Sequence, residues 1–165
     1  MSTEEVKKAE EPLAPGVFVD ASAEGVKTLY KTEAFERSAQ VSNAKYRIAY
    51  ALLRGGERFH GQSRITFDLK EVSDKIFVDY RGEKLLSLKV NGNHITEGNP
   101  FRDHRIYFDQ KHLVSGTNTV DIRYISNYVK DCEGVQFFVD KDDNEEYIYS
   151  NHEPFNAHKG FPCFD

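Results

Sequence analysis

The residues best equipped for chemistry lie near the C-terminal end, in His152-Glu153-Pro154-Phe155-Asn156-Ala157-His158. Two histidines with an acid after the first could hold zinc if they stood four residues apart on one helix face. Here they stand six apart, about 240° around a helix, and Pro154 would break that helix anywhere beyond its first turn. The spacing argues against a zinc pair. A second acidic run, Asp140-Lys141-Asp142-Asp143-Asn144-Glu145-Glu146, imitates the start of a calcium loop. Glu145 occupies the place that needs glycine, and Asn151 the place that needs a bidentate glutamate. The run therefore reads as the solvated tip of a hairpin. Residues 130–147 carry seven acids and two lysines, a local charge of −5 equal to that of the whole chain.

The other reactive side chains are scattered. His60, His94, His104 and His112 have no metal-ligand spacing. Cys132 and Cys163 have neither a CxxC partner nor a basic neighbour that would activate a thiolate. Ser63 and Ser150 lack the glycines of a nucleophile elbow. Gly55-Gly56 joins two strand-like runs and opens no helix, so it cradles no phosphate. Residue chemistry alone points to no catalytic machinery.

Composition narrows the class. The chain has 165 residues, 30% charged and 13% aromatic, with no Trp and two Cys. That is one domain, or one domain with a tail, long enough to bury a core without disulfides. A net charge of −5 argues against binding driven by nucleic-acid phosphates. No apolar run suits a membrane span, and the charged N-terminus is not a secretory signal. The expectation is a cytoplasmic protein that binds neither membrane nor nucleic acid.

Elements follow from periodicity. Residues 1–28, rich in Glu, Lys, Ala and Pro, read as a flexible N-terminal extension. A helix is expected over 32–41, capped by Thr32, with Ala34, Phe35, Ala39 and Val41 as its apolar side. From residue 44 the period becomes two. Tyr46, Ile48, Tyr50 and Leu52 share one face of a strand, and Phe59, Gly61, Ser63, Ile65, Phe67 and Leu69 one face of the next. Further strands are marked by Ile76, Val78 and Tyr80, then by Leu86, Leu88 and Val90 before the hairpin signal Asn91-Gly92. Others fall at 105–109, 118–125, 135–139 and 146–150. The fold class is all-β: a curved, saddle-like antiparallel or mixed sandwich with one short N-terminal helix.

The stretch from Tyr149 to Asp165 resembles a signature of the zinc aminopeptidase N (gluzincin aminopeptidase) family. Its Phe161-Pro162-Cys163-Phe164-Asp165 is the most specific part. Phe59-His60-Gly61-Gln62-Ser63-Arg64-Ile65-Thr66-Phe67 is similar to a strand of that family, and Val90-Asn91-Gly92, Gly116-Thr117-Asn118 and Glu133-Gly134-Val135 fall in the same order. The resemblance covers about residues 30–165. It implies the family's N-terminal β-saddle domain, occupying 29–165 and truncated at its C-terminal end. In the family this domain packs on a thermolysin-like zinc domain. The zinc motif and the Gly-x-Met-Glu-Asn motif of that next domain are absent here.

The resemblance also implies site residues. The family's Gln-x-Glu stretch places its side chains near a substrate's free α-amine. Glu153 matches the acid and Asn151 replaces the Gln, and a carboxylate facing an ammonium is physically sensible. No catalytic residue, metal or cofactor is expected in this chain; zinc would belong to the catalytic domain. The expected partner is that domain or another protein subunit, docking on an edge formed by Phe155, Phe161 and Phe164. The alternative is a free-standing binding or structural subunit that kept the saddle fold and lost the chemistry.

Overall fold

The computed structural model describes residues 14–20 and 29–165. Strands β2 (Val41–Ala51) and β3 (Arg58–Leu69) form a long antiparallel hairpin. β9 (Gly116–Asn127) pairs with β3 along its whole length, from Arg58↔Asn127 to Leu69↔Gly116. β5 (Lys84–Val90) lies on the far side of β9, and β1 (Phe18–Val19) and β6 (Asn93–His94) pair with β5. A smaller sheet has the order β4 (Phe77–Asp79), β8 (Arg105–Tyr107), β7 (Phe101–Arg102). β10 (Gly134–Val139) and β11 (Glu146–Asn151) form a separate hairpin. The result is an all-β sandwich with one short helix, α1 (Lys31–Gln40).

The alternation read in β3 is the main core determinant. Phe59, Ser63, Ile65, Phe67 and Leu69 are buried, while His60, Gln62 and Arg64 face solvent. Phe59, Ile65, Phe67 and Leu69 join Val78, Phe101 and Ile106 of the smaller sheet and Leu85, Leu88, Val120, Ile122 and Tyr124 of the larger one in a single apolar cluster. Gly61 leaves room for a tyrosine: a Cβ there would stand 2.0 Å from the Tyr124 ring.

Three expectations need correction. First, α1 is not capped by Thr32. Tyr30 stands at the cap position, and its N–H donates to Glu33 Oε2 at 3.1 Å. The helix buries a charged residue, Arg37, and leaves Phe35 64% exposed, because a buried carboxylate awaits that guanidinium. Second, a bulge between Leu85 and Ser87 shifts the phase of β5. Leu85, Leu88 and Val90 are buried and Leu86 is only half-buried. Third, part of the expected extension is anchored. Phe18 is buried, pairs with Leu85, and carries residues 14–20 onto the sheet edge. The rest of that extension, 1–13 and 21–28, lies outside the described residues.

The two cysteines differ sharply. Cys132 is exposed; Cys163 is buried, and burial, together with Asp165 and Asp79, pushes its thiol well up. A thiolate is the reactive species. A colorimetric thiol reagent should therefore titrate one equivalent promptly in the folded protein and the second only on unfolding. Two equally fast equivalents would contradict this packing.

Candidate functional site

Chain direction after β11 is set by a series of side-chain to backbone bonds. Asn151 Oδ1 accepts the N–H of Glu153 at 3.2 Å, while Asn151 Nδ2 donates to the carbonyl of Cys132 at 3.2 Å. A cis peptide bond joins Glu153 to Pro154. Buried Asn156 donates from Nδ2 to the Glu153 carbonyl at 2.9 Å, and its own N–H donates to His152 O at 2.8 Å. A short 3-10 turn, Ala157–Lys159, follows. Glu153 is thereby held by its backbone on both sides. Its side chain is exposed and has no hydrogen bond or ion pair among the described residues.

The structure does bring the two expected amine-recognition residues together, in unequal roles. Glu153 presents a free carboxylate. Both polar ends of Asn151 are committed to backbone groups, so Asn151 positions the loop. The expected docking edge is not one surface. Phe155 is 61% exposed, but Phe161 and Phe164 fold inward against the core. Phe161 stands edge-on to Tyr46 and His152, and Phe164 edge-on to Phe67 at 5.1 Å. An apolar run at a chain terminus reads as exposed until a cavity is known to receive it; here Tyr46 and Phe67 supply one.

Backbone pairing fixes the same segment to the smaller sheet. Asp79 N–H donates to Cys163 O at 2.8 Å and Cys163 N–H to Asp79 O at 3.0 Å. His158 Nδ1 lies 2.7 Å from Asp165 Oδ2. Lys159, 7% exposed, is clamped by Asp131 and Glu133. Burial, opposed by a hydrogen bond from Ser63 and reinforced by Tyr50, pushes the Tyr124 hydroxyl well up; burial pushes that of Tyr50 up to about 12. These phenols are neutral packing groups across the physiological range.

Sequence reasoning missed the charged network beneath this segment. Arg37 Nη1 donates to Asp79 Oδ2 at 2.6 Å, and Arg37 also donates to the Asp165 carbonyl. Arg105, 1% exposed, donates twice to Glu33, at 2.9 and 3.0 Å, and its Nε lies 3.5 Å from Asp79 Oδ1. The Phe77 ring contacts both guanidinium groups, at 4.9 Å from Arg37 and 4.1 Å from Arg105. Glu33, Arg37, Phe77 and Arg105 line a concavity of about 750 Å³ beside α1. The charges of Glu33, Arg37, Asp79 and Arg105 answer one another and tie α1 to β4 and β8. The available signal was Asp79 and Arg105 embedded in otherwise apolar strands.

Chemically, the site offers one exposed carboxylate on a fixed backbone, suited to accept hydrogen bonds from an ammonium group. No group of three or more His, Cys, Asp or Glu side chains among the described residues is arranged to hold a metal ion, and His158 is engaged by Asp165. Residues 140–145 form the tip between β10 and β11, with Asp140 and Asp143 accepting backbone N–H groups of their own turn, and Glu146 opens β11. No helix among the described residues is long and apolar enough to cross a membrane.

Comparison with known proteins agrees with this architecture. The chain is 25% identical over 139 residues to aminopeptidase N of Streptomyces lividans, an alignment covering 83% of this chain and 16% of that protein. The chain thus spans about one sixth of the relative's length. Residues 42–165 match the family described as Peptidase M1 N-terminal domain. With that match extending over most of its length, the chain belongs to the peptidase M1 N-terminal domain family.

Proposed function

We propose that this chain is a non-catalytic module that helps bind peptide N-termini only when joined to a catalytic domain. In this reading zinc and the hydrolytic groups belong to that domain, and Glu153 receives the substrate's α-ammonium. The observation that carries it is the unpaired Glu153 carboxylate, exposed on a backbone held by Asn151 and Asn156, within a chain that matches only the N-terminal domain of its family. Unbridged cysteines and a net charge of −5 support a reducing, cytoplasmic setting without nucleic-acid or membrane partners.

The test is an assay on amino-acid p-nitroanilides with added zinc, for the chain alone and fused to a family catalytic domain. The chain alone should show no turnover; zinc-dependent turnover would overturn the proposal. In the fusion, Glu153→Gln should weaken binding of peptides with a free α-amine roughly ten- to a hundredfold, the worth of one hydrogen bond to a charged group. N-acetylated peptides should be unaffected. The isolated variant should keep its stability within about 0.5 kcal/mol. If the fusion binds both peptide classes as before, Glu153 has no part in recognition. The alternative is a free-standing binding subunit; an immunoblot of the source cells distinguishes the two by the mass of the native protein.

A further inference from the structure

Residues 14–20 cross from the larger sheet to the smaller one and are seated at one point on each. The segment begins with a turn that its own sequence prescribes. Pro15 and Gly16 take the central positions, Gly16 has a φ of +83°, and the Val17 N–H donates to the Ala14 carbonyl at 3.0 Å. That is the pattern of a type II turn. Three extended residues follow. Phe18 pairs with Leu85 of β5 and is buried within the core cluster. Val19 pairs with Lys84 and is exposed, and the Asp20 side chain is turned in again, 5% exposed.

The seat for Asp20 lies on the smaller sheet. Asp103 and His104 are the two residues of the β7–β8 turn, with φ of +56° and +55°, as a tight hairpin requires. The ladder ends at Arg102↔Arg105, which leaves the His104 N–H to find a partner elsewhere. Asp20 Oδ2 accepts it at 2.6 Å, and His104 Nδ1 stands 3.1 Å from the same oxygen. Phe18 and Asp20 thus fill two different seats, an apolar one at β5 and a polar one at the turn. A strand of two residues adds little by its backbone, so this hold is small beside the twelve-residue pairing of β3 with β9. The segment also precedes the family match, which begins at residue 42.

We infer that residues 14–20 are a detachable clip, a ready-turned Phe-x-Asp segment that the two sheets receive as a peptide ligand and release without unfolding. The preformed turn lowers the ordering cost of seating it. The aromatic ring supplies the apolar contact, and the carboxylate fixes the register. Once emptied, the same groove accepts an extended peptide of this chemistry, aromatic at one position and acidic two positions on.

The test uses the full chain. In native-state amide exchange the His104 N–H should open at least about tenfold more readily than amides central in β3 and β9, and with a weaker denaturant dependence, since only the clip leaves. Phe18→Ala, which keeps the Asp20 carboxylate, should speed His104 exchange about tenfold beyond any change in β3. A fluorescent peptide with the sequence of residues 14–20 should bind saturably to the Phe18→Ala/Asp20→Ala chain and restore protection at His104. Peptides carrying Phe18→Ala or Asp20→Ala should bind about tenfold more weakly. Asp20→Ala alone is the recipient if the double variant does not fold. His104 exchange that matches β3 at every denaturant concentration, absence of saturable binding, or equal binding of the altered peptides would each overturn the inference.

Discussion

Asp79→Ala is expected to lower stability by about 3–5 kcal/mol, the range for breaking a buried ion pair by removing one partner. For a chain of this size that is a fall in melting temperature of roughly 6–20 °C. The variant leaves Arg37 without its 2.6 Å partner and Arg105 without the carboxylate beside its Nε. Both guanidinium groups are almost wholly buried, so water cannot replace the lost carboxylate. Cavity formation is minor for so small a side chain; the unpaired charge dominates. Asp121→Ala is the control, since the Arg64–Asp121 pair is also close but Arg64 is 55% exposed. It should cost no more than about 1 kcal/mol. Thermal denaturation of both variants checks the argument, and similar losses would mean that burial does not decide the worth of these pairs.

Phe67→Ala should cost about 3–5 kcal/mol, the usual penalty for emptying a buried aromatic site. Phe67 is fully buried and packs against Phe108 at 6.2 Å and Phe164 at 5.1 Å. Truncation removes the platform on which Phe164 rests. The C-terminal segment should then loosen before the rest of the domain. In native-state amide exchange, the Asp79 and Cys163 amides, which join that segment to β4, should lose protection beyond the loss seen in β3. A uniform loss across the domain would show that the segment does not open separately. A denaturation midpoint near that of the unaltered chain would show that the site is repacked.

The sequence exposed the strands better than it exposed what lies against them. Alternation in β3 is legible because one face is wholly core and the other wholly solvent; Ile65 and Arg64 need no third element to choose sides. β5 is misread by one residue because a bulge leaves no mark in an apolar run such as Leu85-Leu86. α1 is found by its pattern, yet its buried face is not, since Arg37 is drawn inward by Asp79, distant in sequence. The same limit applies to the site. Glu153 could be singled out by local pattern and resemblance. The engagement of Asn151 by Cys132, and the inward turn of Phe161 and Phe164, depend on surfaces assembled from distant segments.

The full-length pairing of β3 with β9 has a consequence for how the chain is made. β3 is complete at Leu69, but its partner does not begin until Gly116. At roughly 5–20 residues per second, a ribosome takes several seconds to deliver the missing strand. During that interval any β2–β3 hairpin that forms has its core-facing row uncovered. The row is not continuously greasy: Gly61 and Ser63 interrupt Phe59, Ile65 and Phe67. In the finished protein those two positions receive the Tyr124 ring and its hydroxyl. The gap that later seats a tyrosine of β9 is, until β9 arrives, the break that keeps a nascent hairpin from presenting an unbroken sticky stripe to its neighbours.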